Sequence, residues 1–153
     1  MTAPRYVLAL EEARRGMDQQ VADLSGVRDR AVTVLGIGGL SASFMGGFAW
    51  REDAPPSRWI VCAAVGMFAL VAVLCVLILW PRRFPVTQKP DVLLDWETDG
   101  ASTDDMNKDL ALYMGRMYDN NRATLNRLMR LYCGAVVALL VEITALILNL
   151  WSR

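Results

Sequence analysis

Three stretches of the chain constrain its fold more than any other feature. Residues 31–50 carry no charge, and their only hydroxyls are Thr33, Ser41 and Ser43. Residues 59–80 carry neither a charge nor a side-chain hydroxyl, and residues 131–151 carry a single charge, Glu142. About 20 apolar residues, each rising ~1.5 Å, cross a hydrocarbon core of ~30 Å. A soluble helix of that length would show a polar stripe along one side, and these segments do not. The expectation is an all-α membrane protein with three transmembrane helices.

The ends of the stretches agree with that reading. Trp50, Trp59, Trp80, Tyr132 and Trp151 fall at their termini, where amphipathic rings prefer the headgroup region. Pro81 stops the second stretch, and Arg82 and Arg83 follow at once. Thirteen Lys and Arg lie in the N-terminal segment and the second connection, against three in the first connection and the tail. The positive-inside rule then places a multi-pass protein in the inner (plasma) membrane, N-terminus and second connection in the cytoplasm and C-terminus outside. Thirty largely polar residues precede the first stretch, so no cleavable signal peptide is expected. Cys62, Cys75 and Cys133 sit within the apolar stretches at no metal-ligand or redox spacing, and read as small packing residues.

The segments between the stretches read as follows. Residues 1–30 form a cytoplasmic helix in which Leu10, Met17 and Leu24 recur every seven residues, with Ala13 and Val21 beside them. No proline after Pro4 separates it from the span at 31–50, so one long helix is expected, with Gly16 and Gly26 its weak points. Residues 51–58 make a short outer loop to the span at 59–80. Residues 81–101 form a cytoplasmic linker with Pro81, Pro85 and Pro90, placed to dock Leu94 and Trp96 on a neighbour or on the bilayer. Ser102, three residues before Asp105, reads as a helix start. The helix at 102–130 carries a stripe of Met106, Leu110, Met114 (or Tyr113), Met117, Leu125 and Leu128, interrupted by Asn120 and Asn121, and runs into the span at 131–151. Coiled-coil pairing of the two cytoplasmic helices, within a chain or between chains, is the natural use of the two stripes.

Several features carry chemistry. Gly39, Ser43 and Gly47 fall at i, i+4, i+8, and Gly38, Ala42 and Gly46 repeat the pattern one position earlier. Such faces let another backbone approach closely, for packing within the chain or for a homo-oligomer. Glu142 lies near the expected midplane, where an ionised acid costs on the order of 2–3 kcal/mol or more and usually faces a bundle interior or a wet cavity. Its two leading readings are a carboxyl hydrogen-bonded to a Ser or Thr of the first span, and a pore-lining or gating element. Proton translocation ranks third, because no basic partner lies in any span and three spans fall short of an inverted-repeat carrier. Arg82, Arg83, Arg116 and Arg122, with Lys89, Arg127 and Arg130 nearby, are candidates for binding an anionic signal. Setting topology and touching anionic lipid is their simpler use.

Composition excludes other classes. Sixteen Lys and Arg balance 16 Asp and Glu, which argues against a nucleic-acid binder. There is no His, and no nucleophile–base pair, phosphate loop or metal cluster stands out, so neither an enzyme nor a metal or other cofactor is expected.

The layout resembles a known group. A cytoplasmic helix leads through Val27-Arg28-Asp29-Arg30-Ala31-Val32-Thr33-Val34-Leu35-Gly36 into the first span. A short outer loop, a second span ending in Pro81-Arg82-Arg83 and a helix feeding the last span complete it. This is similar to the small membrane effectors of bacterial anti-phage (antiviral defence) systems. The Pycsar membrane effectors are the nearest, and the two-span effectors of nucleotide second-messenger systems are similar too. The likeness covers most of the chain in architecture, and in residues it rests mainly on Arg30-Ala31-x-x-x-Leu35-Gly36. It implies a nucleotide-binding effector: a cyclic nucleotide made on infection triggers assembly or opening in the lipid bilayer, and membrane integrity is lost. It carries over no nucleotide-binding motif. The alternatives are a non-enzymatic scaffold recruiting a partner through its cytoplasmic helices, and a holin-like pore former.

Overall fold

The computed structural model describes residues 4–49, 58–82, 100 and 102–151. Its elements are three helices: α1 (Pro4–Ala49), α2 (Arg58–Leu79) and α3 (Thr103–Trp151). α1 passes through Gly16 and Gly26 without a break, and α3 passes through Asn120 and Asn121 in the same way. Most of the linker, with Leu94 and Trp96, lies outside the described residues, as do Trp50 and most of the outer loop.

α3 begins where the sequence signals a start. The Asp105 amide donates to Ser102 Oγ at 3.2 Å, Ser102 Oγ donates to Asp105 Oδ2 at 2.7 Å, and the Met106 amide reaches the Ser102 carbonyl at 3.0 Å. The cap satisfies a donor that the first turn would otherwise leave bare, and Asp104 and Asp105 complement the positive end of the helix. Gly100 precedes it at φ 74°, a conformation that a Cβ would strain.

The chain divides into two units. The first comprises Met1–Ser25 and Arg82–Asn126. Its core is Leu10, Met17 and Met114, with Ala13, Leu110, Ala111, Tyr113, Met117 and Tyr118 packed around them. Leu10, Met17 and Leu24 on α1, and Met114 and Asn121 on α3, are buried at seven-residue intervals. Asn121 therefore occupies the buried row rather than interrupting it. The Tyr118 ring lies against Gly16, where an added Cβ would meet it at 3.4 Å. Many outward positions are charged, with Glu11, Glu12, Arg14, Arg15, Lys108, Asp109, Arg116 and Asp119 exposed, and Val7, Leu8, Val21 and Leu112 are exposed among them.

The second unit comprises Gly26–Pro81 and Arg127–Arg153, and there all three helices meet. A Cβ on Gly38 of α1 would touch Leu139 of α3 and Phe68 and Val71 of α2, each at 3.6–3.7 Å. Gly134 of α3 instead approaches Leu74 of α2, so rising numbers on α3 meet falling numbers on α2, and those two helices run antiparallel. Burial again recurs in sevens: Ala31 and Gly38; Ala64, Val71 and Ile78; Leu128, Ala135 and Glu142. A repeat of seven keeps one seam of each helix on its partners.

The outward face of this unit is apolar. Leu40, Phe44, Val65, Val73, Val137, Leu140 and Leu148 are exposed, as are Trp59 and Trp151. Among the described residues, two helices are long and apolar enough to cross a membrane: α2 over Cys62–Leu79, and α3 within Thr103–Leu148.

Candidate functional site

Glu142 is the polar group that this packing singles out. It sits on the inner seam of α3, seven residues after Ala135, and is 1% exposed. Neither carboxyl oxygen has a hydrogen-bond partner among the described residues. Glu142 thus turns into its own chain's bundle. Leu139, which packs at Gly38, lies three residues earlier, or about 4.5 Å along the axis.

The expected hydrogen bond from Glu142 to a Ser or Thr of residues 31–50 is not made. The hydroxyls are committed to their own helices: Thr33 donates to the Asp29 carbonyl at 3.1 Å, Ser41 to Ile37 at 3.1 Å and Ser43 to Gly39 at 2.8 Å. Thr144, two residues from Glu142, donates to Leu140 at 2.8 Å. In apolar surroundings the carbonyl four residues back is the nearest acceptor, so such a hydroxyl satisfies itself first. A buried polar group left without a partner costs roughly 1–3 kcal/mol. A shallow apolar groove lined by Val137, Leu140, Val141, Thr144, Ala145 and Leu148 runs along another side of α3 and does not include Glu142.

The two small-residue rows are treated differently. Gly38 is buried at the three-helix junction and Ala42 is half-buried, so this part of the inner row packs within the chain. Gly39 and Gly47 have nothing within 4 Å of an added Cβ, and Ser43 is exposed. One residue is about 100° of helix rotation, enough to turn one row inward and leave its neighbour open.

The arginine candidates do not converge. Arg116 and Arg122 are exposed on α3, and six residues of helix separate them by about 240°, so they face different sides. Arg82 is half-buried, and Arg83 lies outside the described residues.

Two buried polar groups escaped the sequence reading. Gln20 is 3% exposed; its Nε2 donates to the Tyr118 carbonyl at 2.9 Å, while its Oε1 has no partner. Its spacing from Ala13, Val27 and Val34, seven residues each way and then seven more, was the available signal. Arg28 has its Nε buried without an acceptor. No protein-family pattern, curated protein or solved structure matches the chain.

Proposed function

We propose that the chain is a non-enzymatic inner-membrane effector with three spans, at residues 31–50, 59–80 and 131–151. Its N-terminus and the linker are cytoplasmic, and it permeabilises the membrane on a signal. The observation that carries this reading is the enclosed, unpartnered Glu142. A carboxyl without a partner raises the energy of the closed bundle, and any rearrangement that admits water to it recovers that cost. The closed state is therefore biased toward a second, hydrated packing. The apolar outer face of the second unit and the charged outer face of the first support the division between bilayer and cytoplasm.

Three helices enclose too little volume for an aqueous path, so opening takes several copies. The open row of Gly39, Ser43 and Gly47 is the contact assigned to the homo-oligomer. The cytoplasmic pair, with its Gln20 and Asn121 polar positions, carries the signal to the spans. By the resemblance, the signal is a cyclic nucleotide. Because Arg116 and Arg122 face apart, each is expected to act separately, alone or with Arg82 and Arg83.

The test is membrane potential, read with a voltage-sensitive dye in bacteria expressing the protein, before and after intracellular cyclic pyrimidine nucleotides are raised. Depolarisation that appears only with nucleotide is the expected result. Depolarisation without it would point to a holin-like pore, and none in either state would leave the scaffold.

A further inference from the structure

Across residues 31–50, 59–80 and 131–151 the chain carries one charge, Glu142, and the first charge beyond each end of these stretches is an arginine: Arg30, Arg51, Arg58, Arg82, Arg130 and Arg153. Glu142 stands twelve residues after Arg130 and eleven before Arg153, about 16–18 Å along the axis from either. α1 and α3 enter the second unit at Gly26 and Arg127, and twelve residues further on Gly38 meets Leu139. Arg30, eight residues before Gly38, is therefore about as far from Glu142 as Arg130 is. Salt at physiological strength screens charges in water within ~8 Å, so the bordering arginines do not neutralise a wetted Glu142.

Neutral polar groups do not compete for it either. Thr33, Ser41, Ser43 and Thr144 each donate to a carbonyl four residues back, and neither carboxyl oxygen of Glu142 has a partner among the described residues. The buried seam around it is uncharged, with Leu128 and Ala135 on α3 and Ala31, Val34 and Gly38 on α1. A rearrangement that lets water reach Glu142 therefore wets one fixed charge per copy, and that charge is negative. A hydrated carboxyl is ionised at neutral pH. In a narrow path with low-dielectric walls, fixed charge of one sign concentrates ions of the other by about tenfold or more.

We propose that Glu142 makes the opened path selective for cations, with one carboxylate from each copy facing the permeating ion. Rings of Asp or Glu side chains admit cations and turn back anions by the same electrostatics. The arginines stand at the wider mouths, where salt screens them, and do not set the preference. The inference rests on the permeabilising reading and adds which ions cross: potassium and sodium pass, and chloride is held back.

Current through planar phosphatidylcholine bilayers holding the full-length protein, under a potassium chloride gradient, reads the preference; the neutral lipid adds no net charge of its own. Cyclic CMP or cyclic UMP is supplied as the signal. The current is expected to reverse on the potassium side, for a permeability of about ten relative to chloride. Glu142→Gln keeps the size, removes the charge and should bring that ratio to about one. Arg30→Gln, at an exposed border position, should leave it high. Should Glu142→Gln alone pass no current, assemblies mixed with the wild-type chain carry the test, and the ratio should fall as the variant's share rises. Reversal on the chloride side, an unselective wild-type current, or a ratio that Glu142→Gln leaves unchanged in pure or mixed assemblies overturns the proposal. So does a ratio that collapses with Arg30→Gln, which would put the selecting charge at a mouth. Those results leave the effector reading standing. No current from the wild-type chain with cyclic CMP, with cyclic UMP or with neither overturns that reading, and the inference falls with it.

Discussion

Glu142 and Gly38 show how much a single side chain decides here. Replacing a buried, unpartnered acid by an apolar residue of similar size removes a desolvation cost of about 1–3 kcal/mol. Glu142→Leu is therefore expected to raise the thermal unfolding midpoint in micelles while suppressing nucleotide-dependent depolarisation. A lower midpoint, or undiminished depolarisation, would remove Glu142 from the gating role. At Gly38, a Cβ meets three side chains at ordinary contact distance, so Gly38→Ala should be tolerated. Gly38→Leu should overpack the junction and cost roughly 1–3 kcal/mol. Gly39→Leu, one residue on, meets nothing within 4 Å and should leave the stability of the single chain unchanged. If Gly39→Leu nevertheless blocks cross-linking between copies, the open row is an intermolecular contact. If it lowers stability as Gly38→Leu does, that assignment fails.

At the scale of elements, the seven-residue spacing does most of the organising. It was legible in the sequence for Leu10, Met17 and Leu24, because charged residues surround them and set the apolar positions apart. It was not legible for Ala31, Gly38, Ala135 or Glu142, since in an apolar stretch every position looks alike. Asn121 was misread as an interruption for a related reason: polarity marks exposed positions on average, but a polar residue on a seam can be retained where it sets register. The start of α3, by contrast, was local chemistry and could be read directly. Ser102→Ala removes the cap and should cost about 1 kcal/mol, nearly all of it at that end. Hydrogen exchange at the amides of the first turn should quicken several-fold while those near Leu128 stay protected. Uniform acceleration along α3 would mean that the cap supports more than its own turn.

For the whole molecule, the decisive contrast is between the outer faces of the two units. Charged residues are prominent on the first, where Val7, Leu8, Val21 and Leu112 are also exposed, and Leu, Val, Phe and Trp are prominent on the second, with Arg30, Arg127 and Arg130 exposed at one end. On the proposed reading, water solvates one surface and a bilayer the other. The proposed orientation gives a direct test. A single cysteine at Ser102, in a background free of Cys62, Cys75 and Cys133, should react with a membrane-impermeant maleimide only after the inner membrane is opened. Labelling in intact spheroplasts would invert the topology.

The sequence by itself determined where helices run and how apolar they are, because helix length, charge distribution and capping residues act over a few neighbouring positions. It also marked the acid and the two small-residue rows as unusual. Only the tertiary structure decided that Gly38 packs while Gly39 stays open, that Glu142 turns into its own bundle, and that no hydroxyl reaches it. Those outcomes depend on which side of each helix meets a partner distant in the chain. A step of one residue turns that side by about 100°, and nothing local in a uniformly apolar segment fixes it.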